Sequence, residues 1–162
     1  MTSQVLTTQA TSSALDAWVR LLRGTAALRR ALSAELQSSH GLSINDYEAL
    51  LVLSRAEDGR MRRVDLADSL VLTASGVTRM LDGLERAGLV EKASCASDAR
   101  VSYAVLTKKG RETLRRASAM HTASIRQFFE DRYAAHEIET LAELLRRLPD
   151  AAGAEGEACS VE

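Results

Sequence analysis

The sequence predicts a mainly α-helical chain carrying one small β-hairpin, and three observations lead there. The 162 residues include a single proline and 4% aromatics, and Leu, Ala, Arg and Glu, all good helix formers, are abundant. Apolar residues recur at three- and four-residue steps through long stretches near both ends of the chain. Between those stretches, two β-rich segments, residues 89–93 and 102–106, flank a small polar loop and can pair as an antiparallel hairpin.

Residues 1–13 are rich in Thr, Ser and Gln and are expected to form a disordered arm. From residue 14 to 40 the apolar set Leu15, Trp18, Val19, Leu22, Ala26, Leu32 and Leu36 makes one stripe of an amphipathic helix roughly 39 Å long. Gly41 stops it, supplying the left-handed conformation that helix ends favour. Ser43 then reads as an N-cap, with Asp46 and Glu48 favoured near a positive helix terminus. Ile44, Tyr47, Leu50, Leu51 and Leu53 form the buried face of that second helix. A turn at residues 57–59 follows, and residues 60–63 have room for one short strand.

Next come two helices in close succession. Residues 64–70 read as a short helix in which Val64, Leu66, Ala67 and Leu70 are apolar. Thr73 opens a helix running to residue 87, with Val77, Leu81 and Leu84 inward and Ser75, Thr78, Arg79, Asp82 and Arg86 outward; Gly88 ends it. Two helices joined by a tight connection are a helix-turn-helix. Thr107 caps a long helical region that breaks near residues 134–136 and stops at Pro149. The tail, residues 150–162, carries no basic residue and is expected to be disordered. The terminal helices have more apolar surface than the small middle segment can cover, so they are expected to pack on each other and on a second copy.

Charge distribution separates these parts. The formal net charge is −1. Between residues 60 and 116, however, there are twelve Lys/Arg against seven Asp/Glu, while the remainder carries nine against fifteen. A positive segment inside an acidic chain suits a surface that meets DNA phosphates. A helix that reads the major groove needs short polar side chains and a basic residue on its exposed N-terminal face. Ser75, Thr78 and Arg79 meet that requirement, and Gly76 allows close backbone approach. In the hairpin loop, Arg100 is the candidate for a minor groove, where a narrow shape concentrates negative potential. Asp98, two residues earlier, would orient Arg100 or pair with Arg79.

Here a resemblance becomes specific. Asp98-Ala99-Arg100 followed by Val105-Leu-Thr-Lys-Lys-Gly-Arg111 is similar to the D-x-R…L-T-x-x-G-R signature of the MarR family of bacterial regulators. Leu66-Ala67 and Thr78-Arg-Met-Leu-Asp-Gly-Leu-Glu-Arg-Ala-Gly-Leu-Val90 are similar to the segment carrying that family's recognition helix. The resemblance spans residues 14–148. It implies a winged helix-turn-helix over residues 43–111, N- and C-terminal dimerisation helices in 14–42 and 112–149, and a homodimer on double-stranded DNA. It further implies a small-molecule effector bound where lobe and dimer region meet. One departure stands out: many members have Asp-Arg-Arg where this chain has Ala99, leaving Arg100 as the minor-groove residue.

Other chemistry is sparse. No nucleophile elbow, phosphate loop or paired catalytic carboxylates appear, so an enzyme is not expected. The three histidines share no metal-ligand spacing, and no cofactor or metal is expected. Cys95 and Cys159 form no C-x-x-C pair and read as reduced thiols. A thiol in the loop at Cys95 would report oxidants if that loop touches DNA, which leaves a redox-responsive regulator open as an alternative. A winged helix used only for protein contacts is another. Trp18, the sole tryptophan, with Tyr47 and Arg23, is the candidate set for an aromatic acid effector; plain core packing is the competing role for Trp18 and Tyr47. No apolar run approaches the ~20 residues that span a bilayer, and residues 1–13 lack a secretory pattern, so a cytoplasmic protein with no membrane contact is expected.

Overall fold

The structure is a computed structural model that describes residues 2–70, 72–94 and 102–149, with the backbone alone at 2–12 and 94. Six α-helices and a three-stranded sheet follow in the order α1 (Thr2–His40), α2 (Ile44–Arg55), β1 (Arg60–Arg62), α3 (Arg63–Ser69), α4 (Ala74–Arg86), β2 (Val90–Ser94), β3 (Ser102–Leu106), α5 (Lys108–Glu130) and α6 (Ala135–Leu145). A 3-10 turn, Glu57–Gly59, precedes β1.

Local chemistry accounts for most element ends. Gly41 closes α1 at φ +68°, the left-handed geometry a side chain resists. Ser43 and Asp46 form a reciprocal capping box at α2: the Asp46 N–H donates to Ser43 Oγ at 3.1 Å and the Ser43 N–H to Asp46 Oδ2 at 2.8 Å. Thr73 and Thr107 cap α4 and α5 in the same sense, their hydroxyls accepting from the N–H of Gly76 and Gly110.

The sheet is antiparallel in the order β1-β3-β2. Arg60 to Arg62 lie opposite Val105 to Tyr103, and Val90 to Ser94 opposite Leu106 to Ser102. That register turns Ala104 and Leu106 of β3 and Val90 of β2 into the core. There they meet Leu50 and Leu53 of α2, Leu66 of α3, Leu81 and Leu84 of α4, and Leu114 of α5. The result is a winged helix-turn-helix lobe. From α1 only the last turns join that core, at Leu36 and in the Leu42 that follows.

The helix at the N-terminus starts at Thr2, so the backbone of the segment expected to be an arm is continuous with α1. Val64 is 62% exposed: two residues before Leu66 it sits about 200° round a short helix from the buried position. The first half of the α1 stripe is not covered within one chain. Leu15, Trp18, Val19 and Leu22 are all exposed, Trp18 at 55%. A helix of 39 residues is about 58 Å long and overruns the lobe it packs on. At the other end α6 has no buried residue, and Leu144 and Leu148 are exposed. The tail, 150–162, lies outside the described residues. Among the described residues no helix is long and apolar enough to cross a membrane.

Candidate nucleic-acid interface

α4 presents the expected face. Val77, Leu81 and Leu84 are buried, and Ser75, Thr78 and Arg79 are exposed on the first two turns. The N-terminus of the helix is held by Thr73, whose Oγ1 also lies 3.2 Å from the Ser75 hydroxyl. Thr78 spends its hydroxyl proton on the Ala74 carbonyl at 2.9 Å, leaving its methyl and oxygen lone pairs outward. Arg79 has no ion-pair partner among the described residues, so its fork of donors is available for a guanine edge or a phosphate.

What aims this helix is the joint at its far end, and here the Leu-Thr-Lys-Lys-Gly-Arg run finds its physical role. Thr107 Oγ1 donates to carbonyls of the turn that follows α4, 2.8 Å from Gly88 O and 3.1 Å from Leu89 O, while accepting from the Gly110 N–H at 2.9 Å. Lys109 Nζ donates to Ala87 O at 2.7 Å, a cation placed on the negative end of a helix dipole. Gly110 packs so closely that an added Cβ would strike the Leu89 carbonyl oxygen and lie 2.7 Å from Leu106 Cδ1. The Arg111 guanidinium lies over Gly59, where the chain enters β1 at φ +67°. These four residues lock α4, the sheet and α5 into one body. Gly88, at φ +71°, makes the turn out of α4.

Basic residues elsewhere in the lobe are partly committed. Arg62 forms a fork with Asp65, at 2.6 and 2.8 Å, and that hydrogen bonding, then the charge itself, raises the guanidinium pKa further. Arg60 stacks on Tyr103 across the β1–β3 pair, 4.4 Å from the ring centroid. Both pairs lie at the surface, with Asp65 and Tyr103 half-buried, and hold side chains in place more than they stabilise the fold. Arg100, Asp98, Ala99 and Cys95 fall in the connection between β2 and β3, outside the described residues.

The effector set does not assemble within one chain. Tyr47 is buried, its hydroxyl 3.2 Å from the Ser118 hydroxyl and its ring 4.6 Å from that of His121. Trp18 and Arg23 are exposed on α1, and Trp18 is eleven residues, about 16 Å, before Arg29, where α1 meets α2. At that meeting Arg29 grips Glu48 through two bonds of 2.6 and 3.1 Å and reaches Asn45 at 3.1 Å. Sequence reasoning passed over this α1–α2–α5 junction, because its members lie up to 89 residues apart, as in the Ser124 hydroxyl donating to Glu35 at 2.7 Å.

Comparison with known proteins agrees with the geometry. A sequence model of the MarR family matches residues 40–101, which span the capping box of α2, the helix-turn-helix and β2. The chain is 37% identical to AbsC, a MarR family transcriptional regulator from Streptomyces coelicolor, covering 82% of this chain and 88% of that one with a TM-score of 0.71. It is 29% identical to Sco3205 from the same organism, a MarR family transcriptional regulator solved in complex with DNA, with 83% and 84% covered and a TM-score of 0.75. Among curated relatives, the transcriptional repressor YetL of Bacillus subtilis is 30% identical over 115 residues, 68% of either chain. With a winged helix-turn-helix, an outward Ser75–Thr78–Arg79 face and these relatives in agreement, the chain belongs to the MarR family of transcriptional regulators.

Proposed function

We infer that the chain is a cytoplasmic, homodimeric repressor that binds a pseudo-palindromic DNA operator. The observation that carries this reading is the exposed Ser75, Thr78 and Arg79 on the first turns of a helix whose other face is core. Each lobe, residues 43–111, grips one half-site. α4 lies in the major groove, with Arg79 on a base edge or phosphate and Ser75 and Thr78 beside it. Arg100 reaches the adjacent minor groove, oriented by Asp98. The DNA complex of the similar Sco3205 and the repressor name of YetL support target and sign.

Pairing follows from apolar surface with no cover. Leu15, Trp18, Val19 and Leu22 stand on one side of α1 at steps of three and four, and Tyr133, Leu144 and Leu148 stand exposed near α6. Burying a side chain of this size gives about 1.5–3 kcal/mol, so residues 14–42 and 112–149 together offer ample drive for a two-fold dimer. Two lobes so paired meet half-sites centred about one helical turn, roughly 10 bp, apart.

The deciding experiment is an electrophoretic shift of the DNA upstream of the chain's own gene, at physiological salt and with competitor DNA. A discrete dimer complex that survives competitor is expected. Retention no stronger than on competitor would leave the lobe as a protein-contact module.

A further inference from the structure

The exposed face of α4 divides into two columns. Ser75 and Arg79 stand one turn apart and carry polar groups. Ala74 and Thr78 stand one turn apart beside them, about 100° round the helix. All four are exposed. The second column is less polar than its sequence suggests. Thr78 donates its hydroxyl proton to the Ala74 carbonyl at 2.9 Å, a bond within its own helix. Outward it has no donor left to give. What it offers is a methyl group beside the methyl of Ala74, with the hydroxyl oxygen held against the helix backbone.

That column is one wall of an open notch of about 400 Å³ between α3 and α4. Val64 of α3, Leu72 of the connection and Val77 supply further apolar lining, and the charges of Arg63 and Asp68 cancel. Val64 is the informative member. A β-branched residue loses rotamer freedom in a helix, and this one stands exposed, so burial in the lobe does not offset the loss. A lone exposed valine means little. Here it borders a notch that is continuous with the face carrying Ser75, Thr78 and Arg79.

We propose that this notch selects thymine: the C5-methyl of one thymine in each half-site enters it, against the methyls of Thr78 and Ala74 and the side chain of Val64. Among the four bases only thymine carries a methyl group on its major-groove edge. A notch lined with methyls, to which Thr78 brings no donor, favours that group over the bare C5 of cytosine. Because the two columns are adjacent, the thymine lies next to the base pair or phosphate that Arg79 touches. That selectivity rests on the DNA-reading role inferred above, and it names the base that α4 selects.

The test begins with selection of duplexes from a random library by the full chain, which fixes the half-site. Each thymine of one selected half-site is then replaced in turn by deoxyuridine, which lacks only the methyl group. At one thymine the replacement is expected to weaken binding about fourfold, equivalent to the ~0.8 kcal/mol of one buried methyl group. Thr78→Ser, which keeps the hydroxyl and loses the methyl, is expected to bring that ratio below about twofold. Thr78→Val, which keeps the methyl and loses the hydroxyl, is expected to preserve it. Thr78 is exposed, so neither change touches the core. A ratio kept in Thr78→Ser and lost in Thr78→Val would place the contact on the oxygen and overturn the proposal. So would a ratio kept in both variants, or a half-site with no thymine sensitive to the replacement. In each of those cases the selected half-site, and the DNA-reading role with it, stands. A library that yields no enriched sequence overturns the DNA-reading role itself.

Discussion

The imidazole of His121 packs against the phenol ring of Tyr47, 4.6 Å between centroids and tilted by 52°. Its Nδ1 is buried with no hydrogen-bond partner among the described residues. The pair ties α5 to α2 where α1 also arrives. Burial holds the His121 pKa below its ordinary 6.5, while Glu35 of α1 and Glu48 of α2 pull the other way by charge. The unfolded chain therefore binds the proton more readily than the folded one. The stability tied to neutral His121 is complete above about pH 6.5 and is lost as pH falls below it. Melting curves from pH 7.5 to 5 should show the wild type losing more than His121→Gln; parallel curves would refute the assignment.

Two glycines on either side of one joint should respond oppositely to alanine. At Gly110 the added methyl meets the Leu89 carbonyl and Leu106, an overpacking that costs roughly 1–3 kcal/mol, against a helix-propensity gain of about 1 kcal/mol. The clash wins because the obstacle is backbone. Gly110→Ala should lower the melting temperature by several degrees. Gly83→Ala, with open space above it, should raise stability by about 1 kcal/mol. Denaturant unfolding of both variants checks the contrast.

Removal of either arginine should weaken operator binding in a different way. Arg79→Ala is expected to cost about 1–3 kcal/mol and to relax preference at one base pair in each half-site. Arg100→Ala should weaken binding and lower the slope of log affinity against log salt by about one per neutralised phosphate. Titrations at three salt concentrations separate the two. Unchanged affinity and slope for Arg100→Ala would remove the wing from the interface.

Trp18 is the only tryptophan in the chain and stands on the exposed half of α1, so it reports pairing directly. Its emission should be blue-shifted in the dimer and move to the red on dilution. Leu22→Glu puts a charge among Leu15, Trp18 and Val19 and should yield monomers by sedimentation. It should leave the lobe folded, since Leu22 is outside the core. A dimer that survives Leu22→Glu would place the interface elsewhere.

Much of the lobe was legible from residue order alone because its determinants are local. Ser43 with Asp46, Thr73 before α4, Gly88 after it and Thr107 before α5 each act within four residues, and each ends or starts the element expected. The outward face of α4 followed from the 3.6-residue period, and the hairpin from β-rich segments around a polar loop. Periodicity says which side of a helix is apolar, but not what covers it. That is why the stripe of Leu15, Trp18 and Leu22 was legible but its lack of cover within one chain was not, and why Trp18 does not join Tyr47.

By itself, then, the sequence determined the elements, their caps and the polar face offered by Ser75, Thr78 and Arg79, since short-range sterics and hydrogen bonding decide these. Only the tertiary structure decided what the Leu-Thr-Lys-Lys-Gly-Arg run does. Thr107 reaches back 19 residues to Gly88, and Arg111 lies over Gly59. Only packing revealed the His121–Tyr47 junction, because it joins side chains that are neighbours in space and strangers in sequence.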